Sequence, residues 1–317
     1  MASSAPSPVG SPRVSPESPS HSRSIAALLL ISLRPEQWSK NLIVFAAALF
    51  GGQLTNPAAL AAASATFVIF CALSGAVYLF NDVADRDADR RHPLKRERPI
   101  ASGALSPAVA LTVGGGLGLG AIAAAAAVHP LLAMVAGAYF ALLLSYSFLL
   151  KHLVIIDALT IAGGFVLRAS AGAVAVGVPI SHWLLVCTTL LALFLSFSKR
   201  RHELTLLAEG ATDHRRILHE YSPYLLDQMI AVVTASTLVA YAVYATSPET
   251  AQRLGTTRLG LTIPFVLYGI FRYLYLVHQK RAGGSPSALL VTDGPLLACV
   301  ALWSLAVAVI LYTPLGR

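Results

Sequence analysis

The segment Asn81-Asp82-Val83-Ala84-Asp85-Arg86-Asp87-Ala88-Asp89 puts four carboxylates within eight residues, in a chain of 317 residues with only 15 acidic ones. It follows directly on an apolar run that ends Val77-Tyr78-Leu79-Phe80. On a helix advancing about 100° per residue, Asp82, Asp85 and Asp89 share a face roughly 60° wide, while Asp87 points the other way. Carboxylates stacked on one face repel each other unless cations bind them. Hard oxygen ligands suit Mg²⁺, which takes one or two carboxylates and fills its other positions with water and substrate phosphate. The spacing therefore predicts a membrane-embedded enzyme that holds a diphosphate through magnesium, with Asp82, Asp85 and Asp89 as metal ligands and Asn81 beside them. Two other readings compete. One is a solvated acidic cap paired i,i+4 as Asp82–Arg86 and Asp87–Arg91, which leaves the one-sided spacing unexplained. The other is a calcium loop, which lacks the central Gly and terminal Glu that such loops need.

Further groups able to bind anions stand at the ends of apolar runs. Arg90-Arg91-His92-Pro93-Leu94-Lys95-Arg96-Glu97-Arg98-Pro99-Ile100-Ala101-Ser102-Gly103 follows the aspartates, and its prolines and glycine predict a turn that folds a basic strip over the acidic helix end. Lys95 and Arg98 are its candidate phosphate ligands. A second cluster runs Ser198-Lys199-Arg200-Arg201-His202-Glu203, with Lys199 and Glu203 on one face. Tyr146 and Lys151 close another run, and Lys40 closes Arg34-Pro35-Glu36-Gln37-Trp38-Ser39-Lys40. Trp38 reads as an interfacial anchor; for Lys40 and Lys151, anchor and phosphate ligand weigh equally on charge alone. Arg168 lies 13 residues beyond Ile155, about 20 Å along a helix, where a charge needs a partner or a polar cavity. Asp157 is too far along that helix to be its partner. A structural tie between helices is expected for Arg168.

These groups are carried by a membrane scaffold. The chain is 56% hydrophobic and 12% charged, with a mean hydropathy of +0.68, which excludes an ordinary soluble domain. The expected fold is all-α and polytopic, with about nine transmembrane helices around a central cavity. The spans fall at about 37–50 with its preceding helix, 58–80, 107–128, 131–150, 155–176, 182–197, 226–246, 259–277 and 295–313. Of 23 Lys and Arg, 18 fall on segments assigned to the cytoplasmic side and three on the opposite side. The site is therefore expected to face the cytoplasm of a bacterial cell, from its cytoplasmic membrane. The net charge of +8 reports this topology and an anionic substrate; no separate basic domain suggests nucleic acid. Residues 1–22, rich in Ser and Pro, read as a disordered cytoplasmic tail, and 23–317 as one transmembrane catalytic domain. The short Ile25–Ile31 run leads into charged residues, so no cleavable signal is expected. Cys71, Cys187 and Cys299 are isolated in apolar runs and read as buried small side chains. Gly114-Gly115-Gly116-Leu117-Gly118-Leu119-Gly120 lies inside a span with no preceding strand, which predicts close helix packing and no nucleotide loop.

Together these motifs resemble the UbiA superfamily of intramembrane prenyltransferases, over about residues 30–313. The first aspartate motif of that superfamily matches as Asn81, Asp82, Asp85 and Asp89. Its aromatic prenyltransferases carry a second aspartate-rich motif after the sixth helix, where this chain has Ser198-Lys199-Arg200-Arg201-His202-Glu203. That substitution, with Arg34-Pro35-x-Gln37-Trp38-x-Lys40-Asn41 and Lys95-Arg96-x-Arg98-Pro99-Ile100, is similar to the decaprenyl-phosphate phosphoribosyltransferase branch. The resemblance implies Mg²⁺-dependent transfer of 5-phosphoribose from phosphoribosyl diphosphate to a polyprenyl phosphate, feeding arabinan precursors of a cell envelope. Lys40, Lys151, Lys199 and Arg200 are then candidates for the acceptor phosphate or the donor's 5-phosphate. A homo-oligomer is compatible with this topology. The alternatives are aromatic prenyl transfer from a polyprenyl diphosphate, which leaves the second basic cluster without a role, and an anionic lipid or phosphate transporter, for which no inverted repeat or charge relay is visible.

Overall fold

The computed structural model describes residues 24–93, 95–208, 220–280, 289, 290 and 292–313; the expected tail and Arg281 lie outside them. The described residues form helices α1 (Ile25–Leu33), α2 (Ala46–Phe50), α3 (Pro57–Ala84), α4 (Arg86–Arg91), α5 (Pro107–Val128), α6 (Pro130–Phe148), α7 (Ile156–Val176), α8 (His182–Ala208), α9 (Pro223–Thr246), α10 (Pro248–Leu254), α11 (Ile263–His278) and α12 (Gly294–Tyr312). Eight helical stretches are long and apolar enough to span a bilayer, and they fall where eight of the nine spans were expected. The exception is the first: the chain there forms a 3₁₀ helix, Pro35–Phe45, and then the short α2. Arg34 ends α1 in the left-handed region (φ 54°, ψ 65°), and Pro35 then has no N–H to continue the ladder.

Helix starts follow simple local rules. Pro occupies the first turn after Asn56, Ser106, His129, Ser222 and Asp293, where its missing N–H costs nothing. The Asn56 Oδ1 accepts from the Ala58 and Ala59 amides at 3.1 and 3.4 Å, and Asp293 caps Leu296 at 2.9 Å. Large apolar side chains such as Val68, Leu119, Met134 and Val232 point outward, as lipid-facing helices require.

Two close approaches position the site. A Cβ on Gly172 of α7 would fall 2.0 Å from the Val44 carbonyl oxygen, so the 3₁₀ helix lies directly against α7. A Cβ on Gly118 would meet the Phe140 ring at 2.6 Å, so the glycine run packs α5 on α6 as expected. Every third residue of the 3₁₀ helix shares a face. Asn41 and Val44 are buried there, while Lys40 lies on the neighbouring row.

Candidate active site

α3 ends at Ala84 and the chain re-enters a helix at Arg86, with the Asp89 amide donating to the Asp85 carbonyl at 2.8 Å. The near-helical continuation keeps Asp82 and Asp89 buried (2% and 4% exposed) and turns Asp87 out to solvent. The basic strip folds back as expected. Ser102 N donates to the Arg98 carbonyl and Leu105 N to the Pro99 carbonyl, both at 2.8 Å, and Gly103 takes φ +86°. Ile100 and Leu105 anchor this turn against Leu79 and Ala110. The turn delivers Arg98 Nη1 to Asp89 Oδ2 at 2.6 Å and to Asp82 Oδ1 at 3.3 Å. Lys95 sits in the same turn, its amide on His92 Nδ1 at 3.3 Å.

Other elements complete this end of the site. Arg34 pairs with Asp82 and stacks 4.6 Å above the Tyr78 ring. Lys151, in the short 3₁₀ turn Leu150–His152 after α6, pairs with Asp85, whose other oxygen accepts from Asn81 Nδ2 at 3.1 Å. The i,i+4 pairings Asp82–Arg86 and Asp87–Arg91 do not form; the Arg86 Nε is buried without a partner. Among the described residues no three His, Cys, Asp or Glu side chains converge as one metal-ligating group while these ion pairs are made. The reason is geometric: Asp82 and Asp89 share one guanidinium nitrogen, while Asp85 is drawn to Lys151. Two carboxylates converging on one positive centre, with a third a turn away, still suit a Mg²⁺ that takes its remaining ligands from water and phosphate.

A second cluster lies where the C-terminal part of α8 meets α7. Arg200 is buried, with Nε on Asp157 Oδ2 and Nη1 on Glu203 Oε2, both at 2.7 Å, and Nη2 on the Tyr146 hydroxyl at 3.4 Å. Each of its three nitrogens thus donates to a protein partner. Lys199 is half exposed and 3.9 Å from Glu203. Lys40 lies within reach of the charges of Lys199, Arg168 and Arg34. Arg168 ties the 3₁₀ helix to α6 and α7 through Asn41 Oδ1 at 2.7 Å and the Tyr139 hydroxyl at 2.6 Å. Asn41 continues the tie to Ser74 of α3 at 3.3 Å. The expected structural role of Arg168 is therefore what the geometry shows. Among the described residues, neither Lys40 nor Arg168 has a carboxylate partner, so this inner region carries positive charge that an anion would balance.

Three residues escaped the sequence reading. Tyr78 stands one turn before Asp82 on the carboxylate face, a signal present in the i,i+4 spacing. Asp157 is fully buried at the start of α7, and an ionisable residue there should itself have called for a partner. Tyr221 donates to Asp157 Oδ1 at 3.0 Å; no local pattern announces it. Burial pushes its phenol up to about 12, so it remains a donor at neutral pH.

The family profile described as "UbiA prenyltransferase family" matches residues 41–290. The chain belongs to the UbiA prenyltransferase family. It is 33% identical over 299 residues to a decaprenyl-phosphate phosphoribosyltransferase of Corynebacterium glutamicum, covering 92% of this chain and 88% of that protein. It is 34% identical over 283 residues to the decaprenyl-phosphate phosphoribosyltransferase of Mycobacterium tuberculosis, covering 88% and 92%. A solved UbiA homolog from Archaeoglobus fulgidus bound to GPP and Mg²⁺ superposes with a TM-score of 0.70 at 19% identity, covering 89% of this chain and 99% of that one. That likeness establishes an all-α, multi-pass fold of the UbiA type.

Proposed function

We propose that this UbiA-family protein transfers 5-phosphoribose from phosphoribosyl diphosphate to a polyprenyl phosphate, decaprenyl phosphate by likeness to its relatives, and releases diphosphate. The observation that carries the reading is the pairing of a carboxylate end rich in counter-cations with an inner region of uncompensated positive charge. Two anionic substrates of different kinds need such a division.

The carboxylate end takes the donor. Asp82 and Asp89, with Asp85, would hold Mg²⁺ against the diphosphate; bound there, the ion neutralises charge that builds on the leaving group. Arg34, Arg98 and Lys151 are placed to release their carboxylates and turn to phosphate oxygens, with Lys95 in the same turn as Arg98. Lys40 and Lys199 hold the acceptor phosphate, and the tail lies along the apolar spans. An acceptor phosphate oxygen forms the new bond to the anomeric carbon while the bond to the diphosphate oxygen breaks. The acceptor is already anionic, so no general base is needed. Arg200, Asp157 and Glu203 position Lys199.

The distribution of basic residues supports a site open to the cytoplasm, in a bacterial cytoplasmic membrane, and a product used in arabinan precursor synthesis. Aromatic prenyl transfer is the second reading: the A. fulgidus protein binds GPP and Mg²⁺, but aromatic acceptors give Lys40 and Lys199 no partner. The test is purified protein with radiolabelled phosphoribosyl diphosphate and a polyprenyl phosphate. Chelator-sensitive transfer of label into lipid is expected; its absence, with prenylation of an aromatic acid instead, overturns the proposal.

A further inference from the structure

Ile155 is the residue in the fold whose backbone is least expected of its side chain. It is β-branched and sits at φ 68°, ψ −44°, and the Ile156 amide donates to the Val154 carbonyl at 2.8 Å across it. That is a γ-turn of the rare, strained hand, which persists only where surrounding contacts over-determine it. Here the contact is visible. The Ile155 amide, turned out of any helix, donates to the Tyr221 hydroxyl at 2.7 Å, and that hydroxyl donates onward to Asp157. Tyr221 is 4% exposed and enters from the segment before α9, a distant part of the sequence.

The hydrogen bonds run on as far as Glu203, and an ion pair at 3.9 Å continues to Lys199. Asp157 holds the Arg200 Nε, Arg200 holds Glu203, and Glu203 faces the Lys199 ammonium. Four residues before the turn, Lys151 reaches Asp85 at the other end of the site. Any relaxation of the turn moves Asp157 relative to α8 and lets Arg200 and Glu203 shift. Lys199 then loses its place opposite Lys40.

We propose that Tyr221 is a positioning residue: its hydroxyl clamps the turn at Ile155 and orients Asp157, so that Arg200 and Glu203 hold Lys199 where it grips the phosphate of a polyprenyl phosphate. The inference rests on the assignment of Lys40 and Lys199 to the lipid phosphate. It separates position from charge, because the acid at 157 lowers the positive potential of the pocket yet is required for its shape.

The experiment measures equilibrium binding of two probes, geranylgeranyl phosphate and Mg²⁺-diphosphate, to the purified full-length protein by calorimetry. Tyr221→Phe removes only the hydroxyl. It should weaken geranylgeranyl phosphate binding roughly 5- to 10-fold, the loss of about one to one and a half hydrogen-bond equivalents. Mg²⁺-diphosphate binding should stay within about twofold, because the carboxylate end makes none of these bonds. Asp157→Asn adds net positive charge, and simple attraction would tighten binding of both anions; loss of position weakens geranylgeranyl phosphate alone. Selective weakening in both variants supports the proposal. Unchanged or tighter binding, or equal losses for both probes with a lowered melting temperature, overturns it. If the wild type binds both probes but transfers no phosphoribose, the assigned reaction fails while the clamp stands.

Discussion

The two ends of the site satisfy their charges in opposite ways. At the carboxylate end the counter-ions of Asp82, Asp85 and Asp89 come from turns and loops: Arg34 precedes the 3₁₀ helix, Arg98 sits in the strip after α4, and Lys151 lies in the turn after α6. In the proposed reaction these cations exchange for a metal and a diphosphate without disturbing a helix. At the α8 end the pairs lie between helical residues, and Arg200 is sealed between Asp157 of α7 and Glu203 of its own helix. Lys199 lies at its edge, 3.9 Å from Glu203, and Lys40 has no carboxylate partner among the described residues. One region is built to be displaced and the other to stay fixed.

The largest expected effect tests the exchangeable end. Asp82→Ala or Asp85→Ala removes several kcal/mol of metal-borne stabilisation, so turnover should fall roughly 1,000-fold or more while the protein inserts and purifies normally. Full activity in Asp85→Ala, or indifference to a chelator, would break the contrast at its first term. Next comes the fixed end. Arg200→Ala leaves Asp157 buried and unpaired, and unfolding in detergent should show a loss of about 3–5 kcal/mol. A double variant, Asp157→Leu with Arg200→Leu, should recover much of that stability and little activity. If Arg200→Ala melts like the wild type, the cluster is not a closed structural unit.

Lys199→Ala and Lys40→Ala sharpen the comparison further. Each removes a charge-assisted contact worth about 1.5–3 kcal/mol, or roughly 10- to 150-fold in kcat/KM, with little change in melting temperature. Near-normal kinetics in both would reduce the second cluster to a topology signal, and the case for phosphoribosyl over aromatic prenyl transfer would lose its support. The smallest effects are expected at Asp87→Ala, whose side chain is 89% exposed, and at the exposed Lys280→Ala, each within about twofold of wild type. An Asp87 as essential as Asp82 would mean that the chain does not hold its helical course past Asp85.

Most of the architecture was legible from hydropathy and helix periodicity, because a spanning helix must be long, apolar and internally hydrogen-bonded. The carboxylate face, the outward Asp87 and the folding of the basic strip were readable for the same reason: neighbours in sequence are neighbours on a helix or turn. The first expected span shows the limit. Its hydropathy is interrupted by Arg34, Pro35, Glu36 and Lys40, but the close approach of Val44 to Gly172 that seats the 3₁₀ helix on α7 has no local signal. The sequence alone determined which groups exist and in what local spacing. Tertiary structure decided the partners: Arg168 with Asn41 across 127 residues, Lys151 with Asp85 across 66, and Arg200 with Asp157 across 43. The periodicity of a helix constrains residues three or four apart. Pairings at these separations depend on how whole helices cross, and it was those crossings that buried Arg200 between Asp157 and Glu203.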